Sequence, residues 1–411
     1  MTAVFKHGDL IQKLLNDTDA SQEVESVPDR CFIYRVPECI RTGNEELHTP
    51  VLISIGPLHH NKQKLAVMEN KKKQYVKSFL QRTTFQRIDH ILSFIKDNEK
   101  TIRACYAEAS TLGSSEFVMM ILYDSIFIIE LFLIEKLQDR CDISADKISL
   151  CRDLLLLENQ LPHFVLQGIY KLAVDGSDIN FPFMELSRNF FARSTSVEQS
   201  GVFSDFTRVE SSTFSAESVK HFTDWKRIIL LKGYLTFQVL SDRIDNLPCA
   251  VKLYASGVKF KSITNAPYRS LFKVSFEKQK QLIPFFEVLE LKIPHFLVDE
   301  RTEHLLGNII AMEKCLYPDK ARVCNYVELM AYLMRTEEDV DLLVKKGIIS
   351  NKMSNNASVA NMFKKLNVLH GPSPYYGVCE ELKKHYNNPW NRAKVNLKTG
   401  TLKRVYQLLR Q

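Results

Sequence analysis

Glycine and proline are scarce in this chain, 14 of each in 411 residues, which argues against a turn-rich β-sandwich and for helices. The nine cysteines (Cys31, Cys39, Cys105, Cys141, Cys151, Cys249, Cys315, Cys324 and Cys379) are scattered singly, and none forms a Cys-x-x-Cys pair. That spacing excludes the usual zinc frameworks, and an odd, unclustered set fits a reducing compartment. The N-terminus, Met1 to Asp9, lacks the apolar centre of a secretory signal, so the sequons at Asn16 and Asn356 read as chance. No window reaches the ~20 apolar residues of a membrane span. The nearest, Phe117 to Leu133, is interrupted by Asp124 and Glu130 and reads as a buried core helix. Gly-x-Ser-x-Gly, the phosphate-binding loop, Gly-x-Gly-x-x-Gly and Asp-Asp-x-x-Asp are all missing, and no internal repeat is present. Nothing here implies a metal or a cofactor, although a convergent catalytic site needs no motif.

Acidic residues are missing from the end of the chain. From Lys383 onward there are eight basic residues and no acid, whereas the remainder holds 47 basic against 48 acidic residues. The net charge of +7 is therefore a property of the tail, and a nucleic-acid-binding body, which would carry its own basic face, is not expected. Within the tail, Leu397, Leu402, Val405, Tyr406, Leu408 and Leu409 alternate with cations. Such a segment suits an anionic membrane surface, at about 1 kcal/mol per cation, with Lys394, Lys398, Lys403 and Arg404 as the contact candidates. A solvated or body-packed terminal helix is the alternative. These features imply a cytoplasmic protein, peripheral at a membrane if the tail engages one.

The apolar pattern is mostly helical. Residues 1–30 read as a flexible polar segment. Ile33–Pro37 and Pro50–Pro57 read as short extended pieces around a Gly43-Asn44 turn, a β-hairpin. Leu65, Met68, Tyr75, Phe79 and Leu80 recur at helical spacing over about 64–82, with lysines on the other face. Helical patterns continue over about 87–108, 115–137 and 146–173. A Ser/Thr-rich loop at 194–218 follows, then a helix at 217–242. Strand-like alternation marks 257–261, 271–276 and 285–294, and helices return at 302–316, 323–335, 337–346 and 357–366. Gly347 stands where a helix C-cap needs it. The expected fold is α+β and predominantly α-helical, with two helical lobes around a small β-sheet region: an N-terminal part over 31–193, a C-terminal α+β part over 219–370 and a basic tail over 371–411.

Several segments resemble a plant family known as domain of unknown function 247. They are Tyr34-Arg-Val-Pro37, Ser54-Ile-Gly-Pro-Leu-His-His60, Met68-Glu-Asn-Lys71, Asp124 to Leu131, Asp153-Leu-Leu-Leu-Leu-Glu-Asn-Gln-Leu-Pro162, Gly257-Val-Lys-Phe260, Asn308 to Glu313, Glu338 to Leu343 and Lys346-Gly-Ile-Ile349. The resemblance covers about residues 32–370 in the family's order. It implies a plant protein, some of whose relatives act in pollen recognition, and it brings no general biochemical activity. Members usually carry a hydrophobic anchor after a Pro-Trp segment. Here Pro389-Trp390 is followed by a basic stretch, which puts membrane anchoring in doubt.

The residues able to carry chemistry each have a bland reading as well. His59 and His60 could serve as a base or as metal ligands, but no carboxylate or cysteine stands at ligand spacing, so loop hydrogen bonding is preferred. Glu69, Asp124, Glu130, Glu158 and Glu313 fall inside apolar helices and must be paired, protonated or cation-bound. Asp124 and Glu130 are six residues apart and lie on different faces of one helix, so structural ion pairs with Arg41, Lys71 or Arg152 are preferred over Mg²⁺ and a diphosphate. Glu158-Asn159-Gln160 reads as a network organiser at a helix end. Glu337 to Asp341 is an acidic helix start matching the dipole. The function these features favour is an interaction or recognition protein with a protein partner. The alternative is a lyase or cyclase binding a hydrophobic small molecule in a helical pocket, with His59, His60, Asp124, Glu130 and Glu158 as the catalytic candidates.

Overall fold

The computed structural model describes residues 31–81, 83–137, 145–175, 179, 181–193, 219–231, 242–263, 272–280, 287–368, 371–393 and 395. The segments 1–30 and 194–218, and Lys394, Lys398, Lys403 and Arg404, lie outside them.

The expected N-terminal hairpin is not formed. Residues 38–48 make two single helical turns, α1 (Glu38–Arg41) and α2 (Glu45–His48), and Ile33 pairs instead with Tyr106 in an isolated parallel bridge. Gly43 does turn the chain with φ +75°. The flanking extended residues find their partners elsewhere, as described below.

Two apolar cores fill the molecule. The first is built from α3 (Ala66–Gln81), α4 (Phe85–Asp97), α5 (Glu99–Arg103), α6 (Ser114–Leu137), α7 (Ala145–Asp153), α8 (His163–Val174), α9 (Phe183–Arg193) and α10 (Phe222–Leu230). Its axis is α6, apolar on every side. By length and composition this helix could cross a membrane, yet 78% of its most apolar window is buried inside the protein. Phe132 packs against Phe183, Phe190, Phe191 and Phe222 with ring centroids 4.6 to 6.0 Å apart. In α3, Met68, Val76 and Phe79 face inward while Leu80 is 45% exposed. Helices α4 and α8 approach so closely that a Cβ at Gly168 would sit 2.4 Å from the Phe94 ring.

The helix expected over 146–173 breaks between α7 and α8. A helix would spread Leu154 to Leu157 around most of its circumference, but here all four are buried. Leu154 and Leu155 enter the first core and Leu157 the second. Asn159 and Gln160 satisfy the carbonyls the helix abandons: Asn159 Nδ2 donates to Asp153 O, and Gln160 Nε2 donates to Leu154 O and Leu156 O at 2.7 Å each.

The second core holds β1 (Asp242–Arg243), α11 (Ala250–Ala255), β2 (Lys259–Ile263), β3 (Ser275–Lys280), β4 (Glu287–Pro294), β5 (Phe296–Val298), α12 (Glu300–Leu316), α13 (Arg322–Leu333), α14 (Glu337–Lys345), β6 (Ile349–Asn351), α15 (Asn356–Leu366), β7 (Pro372–Ser373) and α16 (Tyr376–Asn387). Its three-stranded sheet runs β2-β4-β3, with β2 parallel and β3 antiparallel to β4, so that Phe260 and Phe276 both register with Leu291. Strands β5 and β6 pair in parallel, and β1 and β7 antiparallel. Helix α14 opens on a Thr336–Asp339 capping box and closes before Gly347 at φ +67°, as the sequence predicts. The chain past 371 begins as folded structure rather than tail. Cys379 and Leu382 of α16 are buried in the second core, and Lys383 and Lys384 pair with Glu380 and Glu381 one turn earlier.

Candidate functional site

The two cores meet at a buried polar hub. Residues 51–56 belong to no helix or strand, so their amide groups need other partners. Side chains from the Asp153–Pro162 turn supply most of them. Asp153 accepts from the N–H groups of Val51, Leu52 and Ile53, the shortest at 2.7 Å. Asn159 accepts from Ile55 N–H at 2.7 Å and donates to Ile53 O. Asp124 of α6 accepts from Gly56 N–H at 2.8 Å, and Lys72 of α3 donates to Ser54 O. The Asp153–Pro162 segment thus furnishes most of the hydrogen bonds that a neighbouring strand would otherwise give residues 51–55, while Asp124 and Lys72 serve Gly56 and Ser54.

Gly56 is fixed by this arrangement. Its φ of +71° with ψ −176° is a conformation essentially confined to glycine. A Cβ would stand 2.6 Å from Gln160 O. Gly56→Ala is expected to lose about 1–3 kcal/mol from backbone strain alone, before the clash. A denaturant melt checks this, and a loss under about 0.5 kcal/mol, the range of neutral surface changes, would contradict the assigned role.

Glu158 lies at the centre of the hub, with no exposed side-chain surface. Its Oε1 accepts from Val36 N–H at 2.6 Å and from Arg41. Its Oε2 lies 3.0 Å from His59 Nε2, without the alignment of a good hydrogen bond, and 3.7 Å from Arg35. Burial works to raise the Glu158 pKa, but His59, Arg41 and the Val36 amide outweigh it and hold the carboxyl at about 2. Burial lowers His59, and the Lys62 ammonium 2.6 Å from its Nδ1 adds to that effect against the pull of Glu158. A neutral ring accepting from Lys62 at Nδ1 carries its proton on Nε2, facing Glu158. Arg35 continues outward to Glu108.

The hub extends into the second core. Asn308 of α12 donates to Leu47 O at 2.8 Å and accepts from Leu157 N–H at 3.0 Å, with His48 Nδ1 3.4 Å away. Gln160 Oε1 accepts from Phe222 N–H at the start of α10. Arg227 of α10 bonds Glu313 of α12 at 2.7 Å, and the other Glu313 oxygen accepts from Val323 and Cys324 N–H. Beside this seam lie two buried histidines. His221 caps α10 through Nδ1 and reaches Phe32 O. Among the described residues His163 has no hydrogen-bond partner on either ring nitrogen. Burial lowers both to a pKa of about 4.

Of the residues singled out in the sequence, His59 and Glu158 are brought together, and Asp124 joins them through the loop that Gly56 ends. Asp124 pairs with Lys72 at 2.6 Å, and of the three cations named as partners for the buried acids Arg41 is found on Glu158. Arg152 serves the carbonyls of Glu46 and Thr49. His60 is half-buried, its Nε2 3.9 Å from Glu116. Glu130 is buried further along α6, where its charge reinforces burial in raising the Tyr75 phenol. Lys72, Asp153, Asn308 and His163 were not singled out as site residues. A lysine inside a lysine-rich helix gives no sign that it alone turns inward, though the apolar neighbours Met68, Val76 and Phe79 put position 72 on their face. Among the described residues no group of three or more His, Cys, Asp or Glu is placed to hold a metal. An open cleft of about 710 Å³, lined by residues including Asn246, Pro248, Lys383 and Tyr386, borders none of the hub residues.

The sequence over 33–410 matches the family model for domain of unknown function 247, described as a plant protein of unknown function. Two proteins of Arabidopsis thaliana are similar along most of their length. UPF0481 protein At3g47200 is 27% identical over 405 residues, covering 88% of this chain and 79% of the relative. Putative UPF0481 protein At3g02645 is 20% identical over 488 residues, covering 96% and 88%. No solved structure matches significantly.

Proposed function

The chain belongs to this plant family of unknown function, and on that footing we propose that it is a recognition protein that works by binding a protein partner rather than by turning over a substrate. One observation supports this above the others. The ionisable side chains that could run chemistry spend their bonding capacity on the chain itself. Asp153 holds three amides of one loop, Asp124 an amide and a buried lysine, and Glu158 an amide and Arg41 through one oxygen, with Arg35 and His59 facing the other. A catalytic acid or base must instead be free to exchange protons with substrate. Glu158, held at about 2, is an unsuitable general acid at neutral pH. The hub serves as a frame whose outer surface is left for recognition.

The test is isolation of the tagged full-length chain from plant cells, followed by sizing and native mass spectrometry. A stoichiometric protein complex is expected. In parallel, Glu158→Gln is expected to lower the melting temperature. A monomer carrying a bound apolar small molecule, converted to product by the parent and not by an equally stable Glu158→Gln variant, would overturn the reading in favour of a lyase or cyclase.

A further inference from the structure

The outer face of α3 is charged with one sign. Residues 62–77 contain six lysines and a single acid, Glu69, in a body whose charges taken together nearly cancel. The structure sorts these lysines. Lys72 turns inward and takes both Glu69 and Asp124, at 2.6 Å each. With Glu69 neutralised there, Lys71, Lys73 and Lys77 stand exposed on the solvent half of the helix, which bears no acid. None of the three has an ion pair or hydrogen bond among the described residues. Apolar side chains lie among them and just beyond: Val67 is 72% exposed, Leu80 45%, and Phe85, at the first position of the next helix, 89%.

We infer that this face of α3 docks on an anionic lipid surface. Lysine is a compact, strongly hydrated point charge, suited to a diffuse layer of phosphates more than to the forked contacts of a specific interface. Protein interfaces are depleted in lysine and enriched in arginine and large aromatics. A bilayer bearing anionic lipid rewards each lysine near its surface by roughly fivefold in partitioning, and apolar side chains beside the charges enter the headgroup boundary. The lysine rows supply the first term and Val67, Leu80 and Phe85 the second. The inference does not depend on the identity of any protein partner.

Sedimentation of the full-length chain with large vesicles tests it, comparing phosphatidylcholine alone with phosphatidylcholine mixed with phosphatidylserine. Three variants accompany the parent: Lys71→Gln/Lys73→Gln/Lys77→Gln on the face, Lys252→Gln/Lys320→Gln/Lys352→Gln elsewhere with the same charge loss, and Lys394→Gln/Lys398→Gln/Lys403→Gln/Arg404→Gln in the tail. The parent is expected to bind only the anionic vesicles, and the face variant to lose roughly a hundredfold in partitioning. The off-face variant should lose far less, and salt should weaken parental binding. Binding abolished by the tail variant but unchanged by the face variant would overturn the inference. So would failure of the parent to bind anionic vesicles, and capture on immobilised polyglutamate through the same three lysines would then assign the face to an acidic protein.

Discussion

Lys72→Met is expected to cost about 3–5 kcal/mol of folding stability, the range for removing one member of a buried ion pair. Lys72 is 1% exposed and donates to Asp124, to Glu69 and to the Ser54 carbonyl. The methionine keeps the stem's packing but leaves Asp124 buried in α6 with the Gly56 amide as its remaining partner, and leaves the Ser54 carbonyl without its donor. Burial already pushes the Asp124 pKa up against the opposing pull of Lys72, so the carboxyl is expected to take a proton once the lysine is gone. The interaction is separable by a double-mutant cycle. Asp124→Asn retains an acceptor for Gly56, and combining it with Lys72→Met removes the orphaned charge, recovering on the order of 2 kcal/mol relative to the sum of the single changes. Chemical denaturation of the four proteins gives the coupling directly. Strict additivity would mean that the pair is not the element that fixes α3 against α6.

Mild acid is expected to weaken the fold through two buried histidines. His163 and His221 have pKa values of about 4 in the folded chain because burial disfavours their charged forms, against about 6.5 in the unfolded chain. Between these values the unfolded state binds more protons, so stability falls as pH falls. The full contribution is present above about pH 6.5, and at pH 5 each histidine withdraws about 2 kcal/mol. Glu158, held at about 2, loses its stabilisation in the same direction, but only at lower pH. Asp124 and Asp153, raised by burial, pull the other way, so a single-site variant is the cleaner probe. His163→Leu forfeits no hydrogen bond, since neither ring nitrogen makes one. It should raise stability at pH 5 and remove about one proton from the slope of stability against pH between 5 and 6.5. An unchanged slope would show that His163 is not the group that charges on unfolding.

Helices, with their apolar faces and caps, were legible because local spacing determines them. The pattern over 300–366 identifies four helices of the second core, and Gly347 ends one of them at the position its sequence context indicates. The region 33–60 was misread for a physical reason. Its residues have the composition of strands, and their amides do need partners, but the partners are the side chains of Asp153, Asn159 and Asp124, about 70 to 100 residues away. Periodicity contains no record of such pairings. The Asp153–Pro162 segment advertised itself by ending four leucines in polar groups, and that oddity correctly marked an organiser. What it organises, a loop and two cores, needed coordinates. The inward turn of Lys72 was recoverable from its position among Met68, Val76 and Phe79, but residue type argued the other way.

The hub makes the order of synthesis matter. Asn308 reaches back 261 residues to the Leu47 carbonyl and 151 to the Leu157 amide. Val36, Ile40, Leu47 and Leu157, all made early, are buried in a core completed by helices made late. Contacts that distant must close a long loop before any of them is rewarded, so folding is expected to be slow for a helical protein of this kind. A ribosome-bound chain that has not yet released α12 holds the Leu47 carbonyl and the Leu157 amide without the Asn308 side chain that joins them. The seam between the two cores is therefore expected to close only after α12 has emerged, late in synthesis, although most of the first core is already made.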